Sequence, residues 1–167
     1  MGASPWDTWL PLRPDDPPIL GAERFDLQDP FENRVGPLWV RRLSASPPEF
    51  FLQVGEQHCN SGGMAHGGVL MTLADATMGA TAAFAAGGFC VTVSFSSDFL
   101  AGVKQGDLLR SRADCTRQTK RLVFLRGSVS AARPPGGSEV IDADASELKW
   151  GDVFTYSGVF ARLEPKL

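Results

Sequence analysis

The sequence is poor in the side chains that hold metals and disulfides. It contains two histidines and three cysteines, Cys59, Cys90 and Cys115, and no Cys-x-x-Cys pair. That leaves no zinc-site pattern, and an odd number of scattered cysteines builds no disulfide framework. An excess of positive charge is missing too: 16 Lys and Arg stand against 19 Asp and Glu, for a net charge of −3. Nucleic-acid binders are usually basic overall, so that class is disfavoured. The opening stretch, "MGASPWDTWLPLRPDDPP", has no basic start followed by an apolar run and does not read as a signal peptide. No segment reads as long enough and free enough of charge to span a bilayer. The expected compartment is the cytoplasm.

What is present is an ordinary globular composition, 43% hydrophobic and 21% charged in 167 residues, long enough to bury a core within one domain. Residues 1–24, rich in Pro and Asp and carrying Trp6 and Trp9, read as an N-terminal arm. Residues 25–167 read as a single domain. "LQDPFENRVG" predicts a short helical piece ending near Gly36. "PLWVRRLSA" (37–45) and "EFFLQVGEQH" (49–58) predict a hairpin that turns at Pro47 and Pro48. The loop "NSGGMAHGG" leads into a helix from about Gly67 to Ala86, closed by Gly87 and Gly88. Strands are expected over 89–100, 108–118, 121–131 and 154–163, with a polar excursion carrying a helical turn at 133–152. Strands dominate, and the one long helix is apolar on most faces. The fold class is therefore α+β, with a curved, mostly antiparallel sheet covering the helix.

No Lys or Arg lies between Asn60 and Ala86, yet Asp75 stands in the middle of that apolar helix. Its neighbours at i±3 and i±4 are Met71, Thr72, Met78 and Gly79. None is charged, so neither a solvated face nor a local ion pair accounts for it. A buried Asp is rare unless it is partnered. At the helix start, Gly67 and Gly68 expose N–H groups that have no acceptor within the helix, with the helix dipole behind them. The absence of a Cβ lets a substrate carbonyl come close, as in an oxyanion site of an acyl-transfer enzyme. Eight residues separate Gly67 from Asp75, roughly 12 Å along a helix axis. One carbonyl cannot lie about 3 Å from both. Two antiparallel copies of the helix could bring Gly67 of one beside Asp75 of the other, which would make a two-fold dimer with two sites obligatory.

The set Asn60, His66, Gly67, Gly68, Leu73, Ala74 and Asp75 resembles that of the hotdog-fold acyl-CoA thioesterases, in the branch related to phenylacetyl-CoA and 4-hydroxybenzoyl-CoA thioesterases. The downstream "VTVSFSSDFLAGVKQGDLLRSRADCTRQTKR" is similar to that family as well. The resemblance covers about residues 35–131 and, more loosely, 154–163. It implies a hotdog fold, one long helix wrapped in a curved antiparallel sheet, paired into homodimers and often homotetramers. It implies hydrolysis of an acyl-CoA thioester, coenzyme A being part of the substrate, with no metal and no other cofactor. In that reading Asp75 is nucleophile or general base, and the Gly67 amide polarises the thioester carbonyl. Asn60 helps place the carbonyl or the water. Thr92, reached from the partner chain's environment, helps hold the water. His66 orients the loop that presents Gly68 and the helix start.

Between Lys104 and Arg126 stand seven basic residues and two acidic ones, a local positive patch suited to the phosphates of coenzyme A. Lys120 and Arg121, at a bend, are the candidate phosphate contacts, and Arg110 and Arg112 share a strand face. The 133–152 segment is longer and more acidic than the family's usual connection, and the Trp-containing arm is additional; either could reshape the acyl pocket. Three other readings use the same residues. Cys59 with His66 could form a nucleophile and base. A hotdog hydratase or dehydratase would need a His paired with a carboxylate. A non-catalytic acyl-CoA-binding dimer would have to explain Asp75, since a buried carboxylate without a partner is costly.

Overall fold

Asp29 starts the first helix. Its carboxylate accepts from the N–H groups of Phe31 and Glu32 at 2.9 and 3.0 Å, and Pro30 fits the first turn. The computed structural model describes residues 17–25, 29–43, 46–134 and 148–163. Within them the elements run β1 (Glu23–Phe25), α1 (Pro30–Val35), β2 (Leu38–Leu43), β3 (Ser46–Gln53), α2 (Gly67–Ala86), β4 (Cys90–Phe99), β5 (Leu108–Gln118), β6 (Leu122–Ala132) and β7 (Gly151–Arg162). The seven strands form one sheet in the order β1-β2-β3-β5-β6-β7-β4. Every pairing in it is antiparallel. This is the α+β arrangement expected from the order of elements.

The sheet encloses α2 because alternate side chains of its strands face the helix. Phe50, Leu52, Leu109, Leu125, Phe154 and Phe160 meet Leu70, Leu73, Ala74, Met78 and Ala82 of the helix in the main core. Each Phe or Leu fully withdrawn from water contributes about 1.5–3 kcal/mol. The intervening residues face the other way. Trp39, Phe51 and Leu108 gather Ile19, Ala22, Leu148 and Trp150 into a second, smaller cluster on the face away from α2. The helix ends where Gly87 adopts φ 66°, the left-handed region that favours glycine, and donates its N–H to Ala83 O.

Several boundaries differ from the sequence reading. Pro47 and Pro48 lie inside β3 and do not form its turn. They are tolerated because β3 pairs with β5 only over Phe50–Gln53, so no ladder bond to β5 is required at Pro47 or Pro48. The last strand starts earlier than residue 154. Gly151 and Asp152 pair with Ala131 and Ser130, and the Asp152 carboxylate accepts from the Ser130 hydroxyl at 2.6 Å. The part of the expected 133–152 excursion at 135–147 lies outside the described residues, as do residues 1–16 of the expected arm. The rest of the arm belongs to the fold: Ile19 and Ala22 are buried, and β1 adds to the sheet edge with Phe25 edge-on to Phe50, ring centres 4.7 Å apart. By length and composition α2 would suffice to cross a bilayer, contrary to the sequence reading, but it is the core helix here, mostly buried inside the sheet.

Candidate active site

The loop before α2 is held by its own polar groups. Asn60 Oδ1 accepts from the N–H groups of Gly62 and Met64 at 2.9 and 3.3 Å, an Asx-type turn. The Asn60 N–H donates to Met64 O at 2.7 Å. The side chain is exposed, and its Nδ2 donors bond to nothing among the described residues.

Two histidines brace the start of α2. The Gly55 N–H donates to His58 Nδ1 at 2.8 Å, so the neutral ring carries its proton on Nε2 and donates it to Val35 O at 2.6 Å. This ties the loop to the end of α1. The His66 N–H donates to His58 O at 2.8 Å, and His66 Nδ1 accepts from the Gly68 N–H at 3.0 Å, capping the helix. The cap uses the Gly68 donor. The Gly67 N–H has no acceptor among the described residues and is left as the available donor at the positive end of a 20-residue helix. Position 67 must be small, because a Cβ there would lie 2.9 Å from the Phe99 ring.

Two turns further on, Asp75 lies half-buried in a cavity of about 270 Å³ lined by Phe31, Met71, Thr72 and Phe95. Thr92 of β4 donates its hydroxyl to Asp75 Oδ1 at 2.9 Å. This partner comes from the same chain, whereas the sequence reading placed Thr92 in the partner's environment. The bulge in the β4–β7 pairing next to Thr92 re-aims the strand there.

The eight candidate residues thus fall into three places. Asn60, His66, Gly67 and Gly68 cluster at the helix start. Asp75 and Thr92 form a pair roughly 12 Å away along the axis. Lys120 and Arg121 sit exposed at the β5–β6 bend and touch neither group. The bend nevertheless lies near the Thr92 end of the sheet: Leu122 faces Ala161, which faces Val91, so two strand spacings, about 10 Å, separate it from β4. Of the other basic residues, Arg112 is engaged by the buried Glu49, and Arg110 lies over the Trp150 ring at 4.2 Å. Cys59 and His66 do not meet; the Cys59 thiol contacts Gly55 O at 3.5 Å.

Glu32 escaped the sequence reading. Burial, Asp29 and then Asp75 push its carboxyl up to about 7. Its Oε2 is sealed from solvent and has no hydrogen-bond partner among the described residues. In the sequence it stands three residues after an N-cap Asp, where a glutamate reads as a helix cap, and nothing local marks it as a neighbour of Asp75.

One long helix enclosed by a seven-stranded antiparallel sheet is the hotdog fold. The sequence profile of the thioesterase superfamily matches residues 62–135. The Pseudomonas aeruginosa protein PA0474, which carries a provisional esterase name, is 34% identical over 106 residues, 62% of this chain and 79% of that one. The chain belongs to the thioesterase superfamily. Its fold matches the phenylacetic acid degradation protein PaaI of Thermus thermophilus, solved as an Asn-to-Asp variant, at TM-score 0.63 and 24% identity, covering 81% of this chain and 100% of that one. It also matches a hypothetical thioesterase of Streptococcus pneumoniae solved with coenzyme A, at TM-score 0.61 and 18% identity, covering 78% and 91%. At these identities the two structures bear on the fold alone.

Proposed function

We propose that the protein hydrolyses an acyl-CoA thioester to the free acid and coenzyme A, in a site shared between two protomers of a homodimer. The observation that carries this reading is the state of β4. Its sequence is rich in Val and Phe, yet none of its residues is buried in a single protomer: Val93 is 60% and Phe99 57% exposed. One edge of β4 pairs with β7, and the other pairs with no strand among the described residues. A bare apolar edge strand is completed by another chain. The surface stripe of α2 beside it carries Met71, Thr72, Asp75, Gly79 and Ala83, small enough in its later turns for a second helix to approach.

In this reading two α2 helices lie antiparallel across the two-fold axis, and Gly67 of each protomer meets Asp75 of the other. Thr92 occupies Asp75 Oδ1, leaving Oδ2 to take a proton from water. The water oxygen bonds to the acyl carbon while the carbonyl electrons move onto oxygen, where the Gly67 N–H receives the charge. Collapse restores the carbonyl and expels the sulfur with its electron pair, and the proton that Asp75 took passes to that sulfur, which leaves coenzyme A as the thiol and the carboxylate as it began. Asn60, with its free Nδ2 donors, places the carbonyl or the water. Lys120 and Arg121 meet the phosphates of coenzyme A, a ligand that the Streptococcus pneumoniae neighbour holds.

The test is complementation between two inactive variants. Asp75→Asn removes the base. Gly67→Pro removes the N–H at the first helical position, where the missing donor costs the helix nothing; because its Cβ also crowds the Phe99 ring, Gly67→Ala, which adds the Cβ and keeps the N–H, is the control. Asp75→Asn and Gly67→Pro alone should each lose turnover on a panel of acyl-CoAs. Co-expressed and randomly paired, half the dimers are mixed and each mixed dimer has one intact site, so about a quarter of wild-type activity returns. Absence of recovery from verified mixed dimers would refute the shared site, and full hydrolysis by Asp75→Asn would refute the role of the carboxylate.

A further inference from the structure

The described residues hold a second acid beside Asp75 for which the mechanism above has no use. Glu32 is on α1, next to Phe31, which lines the cavity that holds Asp75. Its Oε2 is closed off from water without a partner, a costly state for a charged carboxylate. The surroundings of the two acids differ. Asp75 accepts from the Thr92 hydroxyl, which suits a charged oxygen, whereas nothing among the described residues donates to Glu32 Oε2. Withdrawal from water, with the charges of Asp29 and Asp75 added, holds the proton on the Glu32 carboxyl up to about pH 7.

We propose that Glu32 is a positioning residue that acts through Asp75: once charged, it repels negative charge from the Asp75 carboxylate toward the scissile carbonyl. The inference rests on the hydrolytic reading of the site. As Asp75 takes the proton from water, the O–H bond breaks, the C–O bond forms and the negative charge migrates to the carbonyl oxygen held by the other protomer. The charge leaves Asp75, and a second negative charge on Asp75's own side favours its departure. Glu32 itself neither gains nor loses a proton in the step.

The groups around Glu32 make it a single switch. α1 packs on α2 and β2. From α2 it feels Asp75, and from its own cap Asp29. On β2, Arg41 is engaged by Glu49, and neither Arg41 nor Arg42 is among the charges that act on Glu32. His58, at the far end of α1, donates to Val35 O. With burial added to two like charges, the Glu32 carboxyl changes charge near pH 7.

The experiment compares pH–rate profiles of wild type and Glu32→Gln on one acyl-CoA substrate, and follows the Glu32 carboxyl by carbon NMR in wild type and Asp75→Asn. A close charge changes a proton equilibrium about tenfold, and a half-transferred proton expresses about threefold of that. Wild-type kcat is expected to rise about threefold through pH 7, while Glu32→Gln stays flat at the lower level. The NMR midpoint of Glu32 should lie near 7 and fall in Asp75→Asn. A rise retained in Glu32→Gln, or a Glu32 midpoint indifferent to Asp75, overturns the proposal and leaves the hydrolytic reading standing. No turnover of any acyl-CoA at any pH overturns both.

Discussion

The contact between Thr92 and Asp75 makes the most direct claim about chemistry. Thr92→Val keeps the β-branched shape and the strand preference and removes one hydroxyl. That hydroxyl donates to Asp75 Oδ1 at 2.9 Å. A hydrogen bond to a charged group is worth about 1.5–3 kcal/mol net, and the lower figure applies where solvent reaches the pair, as it does in one protomer. If the bond holds Asp75 in the orientation that the reaction needs, its loss lowers kcat/KM about twelvefold at 1.36 kcal/mol per tenfold. Thr92→Ser should stay within about threefold of wild type, because the donor survives. Asp75→Asn should lose on the order of 10²–10⁴, the usual contribution of a positioned base. In the Asp75→Asn background Thr92→Val should cost nothing further, since the hydroxyl works only through the carboxylate. Steady-state hydrolysis of one acyl-CoA by wild type, the single variants and the double variant decides it. Undiminished activity in Thr92→Val, or the same loss in both backgrounds, would refute the reasoning.

Three further outcomes follow from other parts of the structure. Tyr156→Phe removes a buried hydroxyl that donates to Arg112 O and meets Ser111 Oγ, both at 2.8 Å. The loss is roughly 1–3 kcal/mol, read as a melting temperature roughly 2–12 °C lower, and Ser111→Ala should add less in that background than alone. Glu32 ties stability to pH. Its carboxyl is raised from about 4.5 to about 7 in the folded chain, so the folded state holds a proton that the unfolded chain has released. The contribution of Glu32 to stability is therefore full below pH 4.5, falls as pH rises to about 7 and then levels off, by roughly 1 kcal/mol after screening at this half-buried group. Glu32→Gln should lose that slope in denaturant titrations across the window. Val93→Asp places a charge on a strand that is open in one protomer, so the fold should survive while sedimentation shows monomers and turnover disappears; a fully active dimer would refute β4 as the contact.

The sequence made α2 and its ends legible because several signals agreed there: a Gly-rich start, unbroken apolar residues and Gly87 at the close. The β5 and β6 limits were equally readable, since Val, Leu and Phe alternate with polar residues and the Thr119–Arg121 bend interrupts them. Misreadings came where tertiary pairing overrode local preference. Pro47 and Pro48 look like a turn, but a strand with one neighbour missing accepts them. Asp152 looks like a loop residue, but Ser130 supplies a partner that local composition does not announce. For the candidate site, Gly67, His66 and Asp75 stand out in the sequence because they share one helix and its entry loop, with fixed spacing. Glu32 could not, because its meeting with Asp75 depends on how α1 folds back across about 40 residues of chain, a long-range event that no local pattern encodes.

The same reasoning explains why β4 matters more than its position at the sheet edge suggests. "FCVTVSFSSDFL" reads as a strand with something to bury, and in the protomer it buries almost nothing. The helix beside it offers an acid and, two turns back, an unoccupied N–H, too far apart to act together. Under the proposed function, two deficits on one molecular face, an uncovered strand and a divided site, are removed by the same operation. In the proposed dimer a second chain that extends the sheet across β4 would also bring its helix alongside, and an antiparallel arrangement would set each donor against the opposite acid. Selection for catalysis and selection for burial then act on one surface, so substitutions that loosen the dimer should lower kcat in proportion to the protomers released, with KM of the remaining dimers unchanged.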